Sequence, residues 1–185
     1  MRKVSWQNDI WICMMKSAVI ENNCLFLFSE YRRVEKIKTK YVAQIYATLT
    51  RYVDFRAYNV PVFEDTTDIS KIASQLRDYW GLGQEPIPDM VSLLERNGVV
   101  MSEFATDSSK IDAFSQYDEI KGVPYHCIVL GTEKGSFVRR QFSCAHELGH
   151  IILHEKYEDL SEISREDFRQ REDEANTFAA EFLLP

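Results

Sequence analysis

Two histidines four residues apart, His146 and His150, stand inside an apolar frame made of Phe142, Ala145, Leu148, Ile151 and Ile152. Apolar positions at three- and four-residue steps require a helix here, and one packed against a core. Residues four apart on a helix lie one turn apart and about 40° out of line, so both imidazoles leave on the same side. Their Cβ atoms then sit roughly 6 Å apart, from where both rings reach one zinc ion with bonds of about 2.1 Å. Glu147 is rotated about 100° from His146 and stands beside such an ion without binding it. From there it can act as a general base toward a water whose pKa the metal lowers to about 7. The bland alternative is a pair of surface histidines sharing one helix face, and the apolar frame argues against it.

Zinc needs a third protein ligand. His154 extends the row at 146 and 150, but the rise from 146 to 154 is about 12 Å, too far for one ion on a straight helix. His154 is expected at the helix C-terminus, where a positive charge complements the dipole. His126 lies in an apolar run and is expected to be a packed or solvated histidine. A carboxylate from the last amphipathic stretch remains, with Glu166, Asp167, Glu172, Asp173, Glu174 and Glu181 as candidates. The apolar stripe there is Phe168, Ala175, Phe178, Ala179 and Phe182. Glu172 lies about 60° from its centre and Glu174 about 100° on the other side, so periodicity leaves both open.

The rest of the chain reads as α+β. A long amphipathic helix is expected over 30–57, with Val34, Ile37, Tyr41, Ile45, Ala47, Leu49 and Tyr52 on its apolar face. A second follows Asp68 and is stopped by Gly81 and Gly83, and a third runs from Pro88 to Arg96 before Asn97-Gly98. Strands are expected at 99–104, 111–117 and 123–130, joined as a small meander, with Gly131–Gly135 a turn. Helices follow at 139–154 and 166–184. Helices, then strands, then helices favour α+β over a doubly wound sheet.

Composition narrows the function. The 185 residues are 45% hydrophobic and 28% charged, enough to bury a core, which excludes disorder of the whole chain. The net charge of −7 argues against a protein whose main task is to coat nucleic acid. Residues 30–58 are locally basic and 155–181 strongly acidic, which for both suits solvated helix faces. No apolar run approaches the roughly 18 residues that span a bilayer. Cys13, Cys24, Cys127 and Cys144 form no Cys-x-x-Cys pair and are expected to be reduced, structural thiols in a cytoplasmic protein. Cys144, two residues before His146, is the one to watch.

The stretch FVRRQFSCAHELGHIILH (137–154), followed by EDEANTFAAEFLLP (172–185), resembles the ImmA/IrrE family of bacterial and phage zinc metallopeptidases. Arg140, Phe142, Ala145, His146, Glu147, Leu148, Gly149 and His150 match the family's first block. Glu174, Ala175, Asn176, Phe178, Ala179, Ala180, Leu183 and Pro185 match the second. RDYWGLGQEPIPDMVSLLERNGVV (77–100) also resembles family members, particularly those in which the peptidase follows a helix-turn-helix repressor domain. The resemblance implies a zincin-like domain over 61–185, a small antiparallel sheet packed on the histidine helix, and an N-terminal helical extension over 1–60. It implies His146, His150 and Glu174 as zinc ligands and Glu147 as the catalytic acid/base; Asn176 and Arg140 match without an assigned role. The implied activity is cleavage of a helix-turn-helix repressor or antitoxin partner. Residues 1–24 are too short for a helix-turn-helix domain, so any such module is expected to belong to another chain or to have been lost, and because family members commonly continue past Pro185 a C-terminal truncation is a further expectation. Docking to a transcription factor without catalysis, zinc being structural or absent, is the competing expectation. A direct DNA contact through the basic stretch is weaker.

Overall fold

A computed structural model describes residues 10–11, 40–64, 67–104, 113–120, 123–132, 136–154 and 164–185. Cys13, Cys24, the basic side chains before Lys40 and the 133–135 part of the expected turn lie outside the described residues. The elements in chain order are a short strand β1 (Ile10–Trp11), a helical stretch α1 (40–49), α2 (Ile69–Tyr79), α3 (Met90–Arg96), β2 (Val100–Phe104), β3 (Ala113–Ile120), β4 (Val123–Gly131), α4 (Phe137–Leu153) and α5 (Arg165–Leu183). The fold is α+β.

Helix boundaries follow the local chemistry. Asp68 accepts from the Lys71 amide at 3.0 Å and starts α2, and Gly81 and Gly83 follow its end with φ of 66° and 55°. Asp89 caps α3 through the Val91 amide and the Ser92 hydroxyl. Gly98 closes α3 at φ 76°, where a Cβ would lie 2.4 Å from the Ala57 carbonyl oxygen of the crossing segment. Ser164 accepts from the Asp167 amide at 3.1 Å and donates to its carboxylate, and Glu166 and Asp167 sit where the helix dipole favours negative charge.

The sheet departs from the expected antiparallel meander. Its order is β1-β3-β4-β2, with β3 antiparallel to β4 and to β1, and β2 parallel to β4. The reason lies in β4, which is apolar on both faces instead of alternating: Tyr125, Cys127, Ile128, Val129 and Leu130 are all buried. Such a strand takes a central place with neighbours on both sides. β3 takes one side through a hairpin, and β2 the other, in register from Val100↔Cys127 to Phe104↔Gly131.

Alternate residues of β4 feed two cores. Ile128 and Leu130 join Ala113 and the apolar faces of α2, α3, α4 and α5, including Leu76, Leu94, Leu148 and Phe178. Tyr125, Cys127 and Val129 join Phe114 on the other face, where α1 covers them with Val42, Ala43 and Tyr46. The Tyr46 ring stacks on Tyr125 at 5.3 Å. This corrects the expected face of α1. Tyr41, Ile45, Leu49 and Tyr52 are exposed, and the helix is turned by about one residue to place Val42 and Tyr46 on the sheet.

α4 packs against the sheet, α5 against α4, and α2 against α5. Enclosed on both sides, α4 is buried without a break from Cys144 to Ile151. Gly149 permits the close approach of α5: a Cβ there would lie 3.1 Å from Phe178 Cδ1 and 3.2 Å from the Ala175 Cα. The far end of α5 is held by Arg77, a buried guanidinium that donates to the carbonyls of Gly83, Glu85 and Phe182.

Candidate metal centre

The α4–α5 crossing determines what gathers at the site. His146, Glu147 and His150 lie on the buried length of α4, and the Glu147 side chain is fully enclosed. Ala175 of α5 seats against Gly149, so residues on either flank of Ala175 face the histidine row from opposite sides. Glu172 and Asn176, one turn apart, reach one end of the row, and Glu174 reaches the other.

The distances separate the two carboxylates that periodicity left open. Glu172 Oε1 is 3.3 Å from His150 Nε2, and Glu172 Oε2 is 3.6 Å from His146 Nε2. The two Nε2 atoms are 3.0 Å apart. Ligand atoms of His146, His150 and Glu172 thus all fall within 4.8 Å of one another. Glu174, to which the resemblance points, does not join them. Its Oε2 is 3.0 Å from His154 Nε2, and its Oε1 accepts from Gln170 Nε2 at 2.8 Å. The 200° between positions 172 and 174 on a helix is the physical reason, since only one of them can face the His146–His150 pair.

The second ring nitrogens are engaged as well. His146 Nδ1 lies 3.0 Å from Asn176 Oδ1, which gives Asn176 a contact that the sequence did not assign. His150 Nδ1 lies 2.9 Å from His154 Nδ1. His154 caps α4 as expected, yet its ring, 4% exposed, is part of this polar cluster rather than a solvent-facing charge. The spacing 146, 150, 154 was the available signal for that. Arg140, the other unassigned motif residue, makes a two-pronged surface pair with Glu103 at 3.0 and 3.2 Å. His126 is a packed histidine between Tyr58 and Tyr117, with ring centroids at 4.9 and 5.0 Å.

Electrostatics keep the imidazoles neutral. Burial, then the neighbouring His150, push the His146 pKa down to about 4 against opposing pulls from Glu172 and Asn176. Burial and then the Arg171 cation push His150 down to about 3. His154 is lowered too, first by burial. Burial alone would raise Glu174, but hydrogen bonds from Gln170 and His154 outweigh it and hold the carboxyl below its usual range. Neutral imidazoles are the state in which histidines ligate a divalent metal. Two buried nitrogens and one partly exposed carboxylate oxygen, convergent, fit zinc by ligand type. The Cys144 and Cys127 thiols are both pushed up to about 12 by burial and take no part as thiolates.

An α+β domain in which two helix-borne histidines and a carboxylate meet at a helix crossing has a side-chain group that could hold a metal ion. Residues 94–185 match the IrrE N-terminal-like domain of peptidase family M78, and the chain belongs to that family over this span. The match covers β2 to the end of α5, and so holds every residue of the cluster. No curated protein and no solved structure matches the chain significantly. No helix among the described residues is long and apolar enough to cross a membrane.

Proposed function

We propose that this domain is a zinc-dependent endopeptidase, with His146, His150 and Glu172 as the metal ligands and Glu147 as the general acid/base. The observation that carries it is the convergence of these three ligand atoms within 4.8 Å, two of them on α4, the helix that also bears Glu147, and the third on α5. Zinc, when bound, supplies Lewis acidity toward a substrate carbonyl. The chain's own part is proton handling and orientation. Glu147, fully enclosed beside the cluster, takes the proton of the attacking water and returns it to the departing amine. Asn176 holds the His146 ring through Nδ1. Glu172 is favoured over Glu174 because the latter's two oxygens are committed to His154 and Gln170. The proposed substrate, by the family resemblance, is a cytoplasmic helix-turn-helix repressor or antitoxin encoded nearby.

The test pairs metal content with cleavage. Glu147→Gln should keep its zinc and lose cleavage of the co-expressed neighbouring repressor. Glu172→Gln should lose stoichiometric zinc, whereas Glu174→Gln should retain it. Repressor regulation that survives in Glu147→Gln would replace catalysis by docking. Zinc lost from Glu174→Gln but kept by Glu172→Gln would return the third ligand to Glu174.

A further inference from the structure

The two sides of β3 are paired very unequally. On one side β4 runs against its whole length, from Ala113↔Leu130 to Ile120↔Val123. On the other, β1 pairs with only two residues, Ile10↔Gln116 and Trp11↔Ser115, antiparallel. The rest of that outer side has no strand against it among the described residues. Two residue pairs are fewer than a typical strand makes, and residues 12–39 separate β1 from α1. The contact therefore repays little of the entropy of bringing the chain's start back to the sheet. An edge held so lightly is a template for another extended segment.

The side chains at the two paired positions give a second, independent observation. Ser115 and Gln116 are 0% and 2% exposed, yet Ser115 Oγ and Gln116 Oε1 have no hydrogen-bond partner among the described residues. Buried polar atoms in that state are rare and costly. Successive strand residues point to opposite faces, so Gln116 stands beside Cys127 on the α1 side and Ser115 beside Ile128 on the α4 side. Across the outer edge the residue opposite Gln116 is Ile10, a residue type whose side chain holds no polar atom. β1 thus takes the edge and leaves the Gln116 oxygen unmatched. A strand with a donor at that position would match it.

We propose that the outer edge of β3 docks an extended peptide segment of a partner, one with a hydrogen-bond donor side chain opposite Gln116, and that β1 holds this edge in cis until the segment displaces it. Main-chain pairing supplies the affinity, and Gln116 and Ser115 supply selectivity on the two faces. Strand exchange at β3 uses none of the metal ligands and requires no cleavage, so it stands apart from the proposed function.

The experiment uses the full chain and two fluorescent peptides copied from residues 5–14 with Cys13→Ser, one of them also carrying Ile10→Thr. Threonine keeps the strand preference of isoleucine and adds a hydroxyl. Both peptides are titrated by anisotropy into the wild type and into the Ile10→Pro/Trp11→Pro chain, which has no amide left in β1 to pair. The Ile10→Thr peptide should bind about tenfold more tightly than its parent, and the proline chain should bind both more tightly than the wild type does. Hydrogen exchange should place the protection on residues 113–118. Ile10→Thr made in the full chain should weaken the peptides by up to about tenfold, because the cis strand then competes better. Gln116→Leu should abolish the preference between peptides; were that variant to unfold, the comparison of the two peptides on the other chains still decides. Equal affinity for the two peptides, no binding of either to the proline chain, or protection on another element would overturn the proposal. So would a preference that survives in Gln116→Leu. Neither readout needs metal or turnover, so an inactive, metal-free domain that shows the preference would sink the peptidase reading alone.

Discussion

Gly149→Ala tests the helix crossing on which the site depends. Mid-helix glycine is disfavoured relative to alanine by about 0.8–1.0 kcal/mol, so propensity alone predicts a more stable protein. Packing opposes it. The new methyl would lie 3.1 Å from Phe178 Cδ1, 3.2 Å from the Ala175 Cα and 3.3 Å from the Ala175 oxygen, each inside ordinary van der Waals contact. Two of these three atoms are α5 backbone and cannot rotate away. The third belongs to a fully buried ring stacked on Phe182 at 5.5 Å, which leaves it little room. Overpacking of this kind costs about 1–3 kcal/mol, so it offsets or exceeds the propensity gain. The expected net change runs from near zero to a loss of about 2 kcal/mol.

Function should suffer more than stability. The relief open to the mutant is a displacement of α5 by a few tenths of an ångström at Ala175, which carries Glu172 and Asn176 with it. Metal sites tolerate about ±0.2 Å in ligand distance, so zinc affinity should fall by about tenfold or more. Urea unfolding of the metal-free protein gives the first quantity and chelator competition the second. A Gly149→Ala protein stabilised by the full propensity gain, with unchanged zinc affinity, would refute the close approach of α4 and α5.

Two further outcomes follow from the same structure. Arg77→Lys should destabilise the fold by about 2–4 kcal/mol in urea titration, because lysine cannot donate to three diverging carbonyls at once and each buried group left unmatched costs about 1–3 kcal/mol. A change below about 0.5 kcal/mol would mean that the carbonyls of Gly83, Glu85 and Phe182 find water. The metal-free protein should also lose stability on acidification. His146 and His150 have folded-state pKa values of about 4 and 3, below the unfolded value of about 6.5, so between these limits the unfolded chain binds more protons. Their contribution is complete above about pH 6.5 and is lost as pH falls toward about 4, with a slope of up to about 1.4 kcal/mol per unit for each ring. Urea midpoints that stay flat from neutral pH down to about 4.5 would contradict two buried neutral imidazoles.

What could be read from the amino acids was whatever depends on neighbours along the chain. The cap at Asp68, the helix from Pro88 with its stop at Asn97-Gly98, and the helix around His146 and His150 are local, and each appears in the structure within a few residues of its expected limits. Sheet order was not local. A parallel partner for β4 depends on burial of both its faces, which is visible in the run VPYHCIVL only if that run is not read as a hairpin arm. The face of α1 failed for a related reason. Its surface carries apolar residues on two sides, and the choice fell to whichever ring Tyr125 could stack with, a decision made by the sheet.

Glu172 and Glu174 illustrate the same limit at the site. Helical phase placed them on opposite flanks of the buried stripe, and that is where they are. Which flank faces which histidine depends on how α5 crosses α4, and the crossing is set by Gly149 against Ala175. A single glycine thereby determines the division of labour between two nearly adjacent carboxylates: one beside His146 and His150, the other beside His154. Neighbouring residues of one helix acquire different chemistry because a third residue, on another helix, lacks a side chain. Motif matching cannot see that dependence, since the matched residues satisfy the pattern whichever carboxylate turns inward.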